Sequence, residues 1–329
     1  MKYVINRVGF LLISLWAAAT INFFLPRMMP GNPVDALIAR FQGRISGSAL
    51  HAIELQFGVT HRPLWFQYLV YLSHILHGNF GVSLTYYPAS VMTVIGNSLP
   101  WTLGLAGLST IISVALGLAL GIYSAWHRKR RAVNLLPTLS TFTAAIPYFW
   151  LAMIFVYFLG YLLGWFPTDH AYTSSLTPGI HGPFILSVLH HGILPACTIV
   201  ISSLGGWLMN MRNNMVQVLG EDYILFAQAK GVPDRDLMLR YAARNAILPS
   251  ATSFAMSIGF VVGGTLLTEI VFSYPGVGYQ LFTAIENSDY PLMQGLFLMI
   301  AVSVLLANFI VEMLYGRLDP RVRRSGVGS

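Results

Sequence analysis

Charge is what this sequence has least of: 9% of its 329 residues are Asp, Glu, Lys or Arg, where soluble domains average about 25%. With 55% of residues apolar, that scarcity excludes both a soluble globular enzyme and a disordered chain. Lysine is confined to Lys2, Lys129 and Lys230, and none follows a glycine, so no phosphate-cradling G-K-[ST] loop exists. The single cysteine, Cys197, rules out a disulfide framework and a cysteine-based zinc site. Catalytic patterns are also missing: there is no H-E-x-x-H, no Ser/His/Asp order and no pair of carboxylates inside an apolar run. His74-x-x-His77 has a spacing that suits a metal, but no third ligand is near in sequence. The sequence therefore offers no catalytic, metal or cofactor site of its own.

Long uncharged runs are abundant. A bilayer core of about 30 Å needs roughly 20 apolar residues in a helix, and six runs qualify: 8–25, 99–126, 132–163, 184–211, 247–271 and 292–311. Only one of them holds a carboxylate, Glu269, near its far end. Pro147 and Pro195 inside these runs are expected to kink them. The predicted fold class is an all-α integral membrane protein with six transmembrane helices. The run 8–25 is followed by Pro26-Arg-Met-Met-Pro30 rather than a small-residue cleavage site, so it reads as an uncleaved first span.

The net charge of +7 is explained by where the cations fall. Lys2 and Arg7, residues 127–131, the five basic residues between Arg212 and Arg244, and Arg317, Arg321, Arg323 and Arg324 all belong to one side. The loops 164–183 and 273–291 contain no Lys or Arg. Basic short loops face the cytoplasm, which places both termini inside. The charge balance is then topology rather than nucleic-acid affinity. The expected organisation is a first helix in 1–29, an outer helical cap in 30–98, a five-helix core in 99–316 and a cytoplasmic tail in 317–329. Within the cap, 48–57 and 65–76 carry apolar residues at helical spacing, and their faces must dock on the helix bundle or on the lipid interface.

The core contains a polar insertion, 212–248, that reads as a helix–Gly–helix hairpin. Tyr223 to Lys230 is helical by propensity, Gly231 ends that helix as a residue just past the C-cap, Asp234 caps a second helix running toward Asn245, and Pro249 precedes the fifth span.

Tyr223-x-x-x-Ala227-Gln-Ala-Lys-Gly231 followed by Tyr241-Ala-x-Arg244-Asn-Ala-Ile-Leu-Pro249 resembles the EAA loop of ABC-importer permeases in its peptide-importer form. The resemblance continues through Pro30-Gly-Asn-Pro33, Phe57-Gly-Val59 with Pro63, Gly78-Asn-Phe-Gly-Val-Ser83, Asn97-Ser-Leu-Pro-Trp-Thr-Leu103, Glu269-Ile-Val-Phe272 with Pro275-Gly-Val-Gly278, Asp289-Tyr-Pro291 with Gln294-Gly295, and Leu318-Asp-Pro-Arg321. The long outer segment is similar to that of the first, B-type, subunit of peptide importers. Gln228, Tyr241, Asn32, Asn79 and Glu312 depart from the family pattern; the first two lie in the loop and bear on which ATPase it fits.

The resemblance implies a transport subunit without chemistry of its own in a bacterial or archaeal plasma membrane. Its partners would be a second homologous permease, two cytoplasmic ABC ATPases that hold ATP and Mg, an extracytoplasmic substrate-binding protein and the lipid bilayer, with no nucleic acid. Coupling to the ATPase is assigned to Tyr223, Ala227, Ala229, Lys230, Gly231, Val232, Asp234, Arg235, Arg244, Asn245 and Pro249, with Ala227 and Ala229 leaving room on the docking face. Glu269 is a possible gate or path residue, or else a helix-end packing group; Glu312 is read as structural. Short oligosaccharides and nickel chelates are alternative substrates of the same architecture. An ion-coupled secondary carrier is the competing class, but the mid-membrane charges and repeated broken helices it usually shows are not evident.

Overall fold

The computed structural model describes residues 2–28 and 63–318. In chain order its helices are α1 (Lys2–Met28), α2 (Leu64–Leu76), α3 (Val91–Thr102), α4 (Leu108–Trp126), α5 (Leu135–Ala145), α6 (Tyr148–Phe155), α7 (Gly182–Val218), α8 (Asp222–Ala229), α9 (Asp234–Asp236), α10 (Arg244–Gly264), α11 (Leu266–Val271), α12 (Val277–Glu286) and α13 (Tyr290–Leu318). Short π-helical turns at Leu103–Gly107, Val156–Leu162 and Leu237–Ala243 continue α3, α6 and α9. Among the described residues the one extended pairing is an isolated bridge between Val82 and Ser90, so the all-α class holds.

The count of six spans is reached only in part. Four described helices are long and apolar enough to cross a membrane: Val4–Leu25, Val91–Trp126, Gly182–Val218 and Tyr290–Met313. The run 132–163 is broken by a 91° bend between Leu135–Ala145 and Tyr148–Leu162, which makes a fifth span if the pair counts as one. The cause is local. Ile146 precedes Pro147 and takes extended backbone, ψ 124°, because the proline ring clashes with a helical residue before it. The run 247–271 divides between α10 and α11 at Thr265. Pro249, expected ahead of the fifth span, lies inside α10. The expected cap helix at 48–57 lies outside the described residues, whereas the one at 65–76 is α2.

The chain forms two compact units, 1–102 with 275–329, and 103–274. In the first unit α1 packs along α13. An Arg7–Glu312 ion pair of 2.9 Å joins one end of this pair. Near the other end the Asn22 amide donates to the Gln294 carbonyl at 2.8 Å. Phe23 is fully buried among Phe24, Tyr68 and Tyr71, which holds α2 against α1.

The same unit has a polar corner. Asp289 is fully buried at the start of α13, where its Oδ1 accepts from the Leu292 N–H at 3.1 Å, an N-terminal cap. Its Oδ2 accepts from the Ser83 hydroxyl at 2.5 Å and the Thr85 N–H at 2.8 Å. The segment Gly81 to Val91 is thereby tied to the helix end. A buried carboxylate is tolerable only with such partners.

In the second unit α4 and α7 make the main packing seam. A β-carbon on Gly121 would sit 2.7 Å from the Leu208 carbonyl oxygen; only glycine lets these backbones approach so closely. The Ser113 and Ser203 hydroxyls meet across the same seam at 2.8 Å. Pro195 is buried inside α7 without interrupting it.

Candidate coupling hairpin

The hairpin belongs wholly to the second unit. α8 has eight residues, too few to be stable alone in water, so packing must hold it. Ile224 and Ala227 on its inner face join Leu237, Ala242, Ala243 and Ala246 in one cluster with Met211 and Met215 of α7 and Ala125 of α4, all at most 7% exposed. Burying Ile224 and Leu237 contributes about 1.5–3 kcal/mol each. The alanines let the helices close on one another.

The turn has a definite mechanism. Gly231 adopts φ +75°; its N–H bonds the Gln228 carbonyl at 3.0 Å and the Val232 N–H bonds the Ala227 carbonyl at 3.2 Å. This is the Schellman pair of bonds that satisfies the last carbonyls of a helix and needs a left-handed residue past the C-cap. A β-carbon at Gly231 would meet nothing within 4 Å, so the requirement is conformational rather than one of space.

After the turn the chain is helical without interruption from Asp234 through the π-turn into α10. Asp234 starts this stretch, but the cap position is Pro233 and no side-chain cap bond forms; the expected separate helix ending near Asn245 is instead the beginning of α10. Asn245 ties the two arms together: its amide donates to the Tyr223 hydroxyl at 3.0 Å and to the Tyr241 carbonyl at 2.8 Å. Asn214 of α7 bonds the Ala246 carbonyl at 3.3 Å, fixing the base of the hairpin to the preceding helix. The Arg240–Asp236 pair, 3.3 Å, spans one exposed turn and contributes little.

Of the assigned residues, Tyr223, Ala229, Lys230, Gly231, Asp234, Arg235, Arg244, Asn245 and Pro249 are exposed and Val232 is half-buried. Ala227 is the exception. At 4% exposed it faces the interior of the hairpin, so it cannot give room on a docking face; its small size serves the internal packing. Leu225 and Phe226, 57% and 62% exposed, were not anticipated. The sequence did carry a signal for them, because large apolar residues beside Ile224 and Ala227 cannot all share one face of a helix. Lys230 lies over the Phe226 ring at 4.4 Å, a cation–π contact. The outward side of the hairpin thus exposes Tyr223, Leu225 and Phe226, with Lys230 over the last.

Glu269 sits in α11, fully buried, with the Thr265 hydroxyl donating to its Oε1 at 3.1 Å. A carboxylate so enclosed presents nothing to a passing solute in this conformation, which suits helix-end packing better than a gate. No cluster of three or more His, Cys, Asp or Glu occurs among the described residues.

Among the described residues the site is a packed hairpin in a chain with four helices long and apolar enough to cross a membrane. Residues 117–324, which include the whole hairpin, match the family described as the binding-protein-dependent transport system inner membrane component; the chain belongs to that family, in which ATP is hydrolysed on separate chains. It is 31% identical over 339 residues to the di/tripeptide transport system permease protein DppB of Pseudomonas aeruginosa, covering 98% of this chain and 99% of the relative. It is also 31% identical to the oligopeptide transport system permease protein AppB of Bacillus subtilis, covering 97% and 98%. The probable D,D-dipeptide transport system permease protein DdpB of Escherichia coli is 31% identical, with 96% of each chain covered.

Proposed function

We propose that this chain is one of two permease subunits of an ATP-driven importer of short peptides in a bacterial or archaeal plasma membrane. It forms half of the translocation path, receives peptide from an external binding protein, and seats its hairpin on one of two cytoplasmic ATPases. The observation that carries the peptide assignment is full-length similarity to relatives named for dipeptides and oligopeptides. The exposed Tyr223–Leu225–Phe226 patch, on a hairpin whose own core is already complete, supports an ATPase seat. ATPase closure would then swing the connected helices as rigid bodies.

The test is reconstitution of the chain with its companion permease, ATPases and binding protein in liposomes. ATP-dependent uptake of di- and tripeptides is expected, with no uptake by this chain alone. Uptake of oligosaccharides or nickel chelates but not peptides would overturn the substrate, and transport by the lone chain would overturn the class. Cysteines at Gly220 and Asp234 should react only from the cytoplasm; labelling of the Asp234 site in intact cells would reverse the proposed topology.

A further inference from the structure

Four cations follow one another in the turn between α4 and α5: Arg128, Lys129, Arg130 and Arg131, all exposed. The backbone of this turn is closed on itself. The Arg130 N–H donates to the His127 carbonyl at 2.8 Å, the Val133 N–H to the Arg130 carbonyl at 3.1 Å, and the Asn134 N–H to the Arg131 carbonyl at 3.2 Å. Val133 is buried and fixes the turn to its unit. The four cationic side chains, by contrast, are tied to nothing. None of them has an ion pair or a side-chain hydrogen bond among the described residues. The hairpin carboxylate that does find a cation, Asp236, takes Arg240 of its own helical stretch.

The turn is held at the membrane surface from both sides. The apolar helix 91–126, long enough to cross a bilayer, ends at Trp126, and the bent apolar pair Leu135–Ala145 with Tyr148–Leu162 follows it. Only 127–134 lie between. A connection so short, closed by its own hydrogen bonds, cannot carry its side chains far from the interface. Tyr123, in the last turn of α4, is 44% exposed and lies against the His127 ring at 4.4 Å. Tyrosine at the end of a membrane-crossing helix sits at headgroup level. Trp126 packs against the hairpin cluster, so the cations stand at the hairpin's end of the unit. That placement comes from packing and does not depend on counting charges in loops.

We propose that Arg128, Lys129, Arg130 and Arg131 form a binding site for the phosphate headgroups of anionic phospholipids, in the leaflet on the hairpin's side. Each cation near an anionic bilayer surface strengthens binding by about fivefold, and three of the four are guanidinium groups, whose forked donors match two oxygens of one phosphate. The occupant is lipid and not a protein. Residues 128–132 expose four cations and an alanine, with no large apolar side chain to anchor a protein interface. The hairpin beside them exposes Tyr223, Leu225 and Phe226. Which leaflet this is rests on the proposed cytoplasmic seat of the hairpin; headgroup binding itself does not.

The test uses the assembled importer, freed of other cysteines, in nanodiscs of phosphatidylcholine with a minor fraction of phosphatidylglycerol. Both leaflets are alike, so the outcome is independent of orientation. Ala132→Cys is labelled with a fluorophore, and quenching is compared for phosphatidylglycerol and phosphatidylcholine that each carry a nitroxide high on the acyl chain. At equal content, phosphatidylglycerol is expected to quench at least twofold more than phosphatidylcholine. The preference should vanish when all four cations are replaced by Gln and persist in the triple variant Arg128→Lys, Arg130→Lys, Arg131→Lys. Equal quenching by the two lipids in the unaltered complex would overturn the proposal. A preference that survives the four Gln replacements would assign the lipid to other cations. Absence of quenching by either lipid, with loss of ATPase from the Gln complex, would overturn it in favour of a protein contact. If the Gln complex does not assemble, a salt series on the unaltered complex decides: a preference unmoved by KCl up to about 1 M, where charges are screened within about 3 Å, overturns the site.

Discussion

In the hairpin, Ile224, Ala227, Leu237 and their neighbours hold two short arms together by apolar packing. At the Asp289 corner, one buried carboxylate holds a loop to a helix through three hydrogen bonds. The hairpin spreads its stabilisation over many side chains, each worth little. The corner concentrates it in one group whose removal strands three donors. Both regions nevertheless use the same turn. Ser288, at φ +51°, donates to the Ile285 carbonyl, and the Asp289 N–H donates to Ala284, which repeats the bond pattern at Gly231. One left-handed position is filled by glycine and the other by serine.

The largest effect is expected at the corner. Asp289→Ala removes the acceptor from three donors at a buried site, at about 1–3 kcal/mol for each unsatisfied group. The expected loss is about 3–5 kcal/mol in total, seen as a melting temperature several degrees lower in detergent; an unchanged melt would show that the corner is held by something else. Next comes Ala227→Arg, which forces a guanidinium into the apolar cluster at a cost of several kcal/mol. It should open the hairpin to limited proteolysis while leaving membrane insertion unchanged. If the variant stays protease-resistant and merely loses ATPase binding, the side chain points outward after all.

Gly231→Val places a β-branched residue at positive φ, at about 1–3 kcal/mol. Gly231→Asn should cost under about 1 kcal/mol, because asparagine tolerates that conformation. Peptide-stimulated ATP hydrolysis in the assembled complex should follow the same order, glycine above asparagine above valine. Ser288→Gly is the smallest effect and has the opposite sign, a gain of roughly 0.5–1 kcal/mol from relief of the left-handed serine. A loss at Ser288 would mean that its side chain contributes more than the turn does.

Proline shows where the sequence was legible and where it was not. Pro147, Pro195 and Pro249 were all read as kinks or boundaries. Only Pro147 bends the chain sharply, and there the residue before it is driven into extended backbone. Pro195, which is buried, and Pro249, which is exposed, both stay within continuous helices. The length of the uncharged apolar runs revealed the four long helices. The Gly231 turn was legible because a left-handed helix end strongly favours glycine. The inward turn of Ala227 was not, since an alanine in an eight-residue helix carries too little hydrophobic contrast to say which side it faces. The Asp289–Ser83 bond joins residues 206 positions apart, beyond the reach of any local pattern.

The uninterrupted helical path from Asp234 into α10 has a geometric consequence. At ~1.5 Å per residue, residues 234–264 trace about 45 Å of helix, with the π-turn Leu237–Ala243 and Pro249 in its first half. A tilt of about 10° at the turn would sweep the far end through about 8 Å for such a length. If the hairpin seats on an ATPase as proposed, it would act as the short arm of a crank, with small displacements there magnified along the helix.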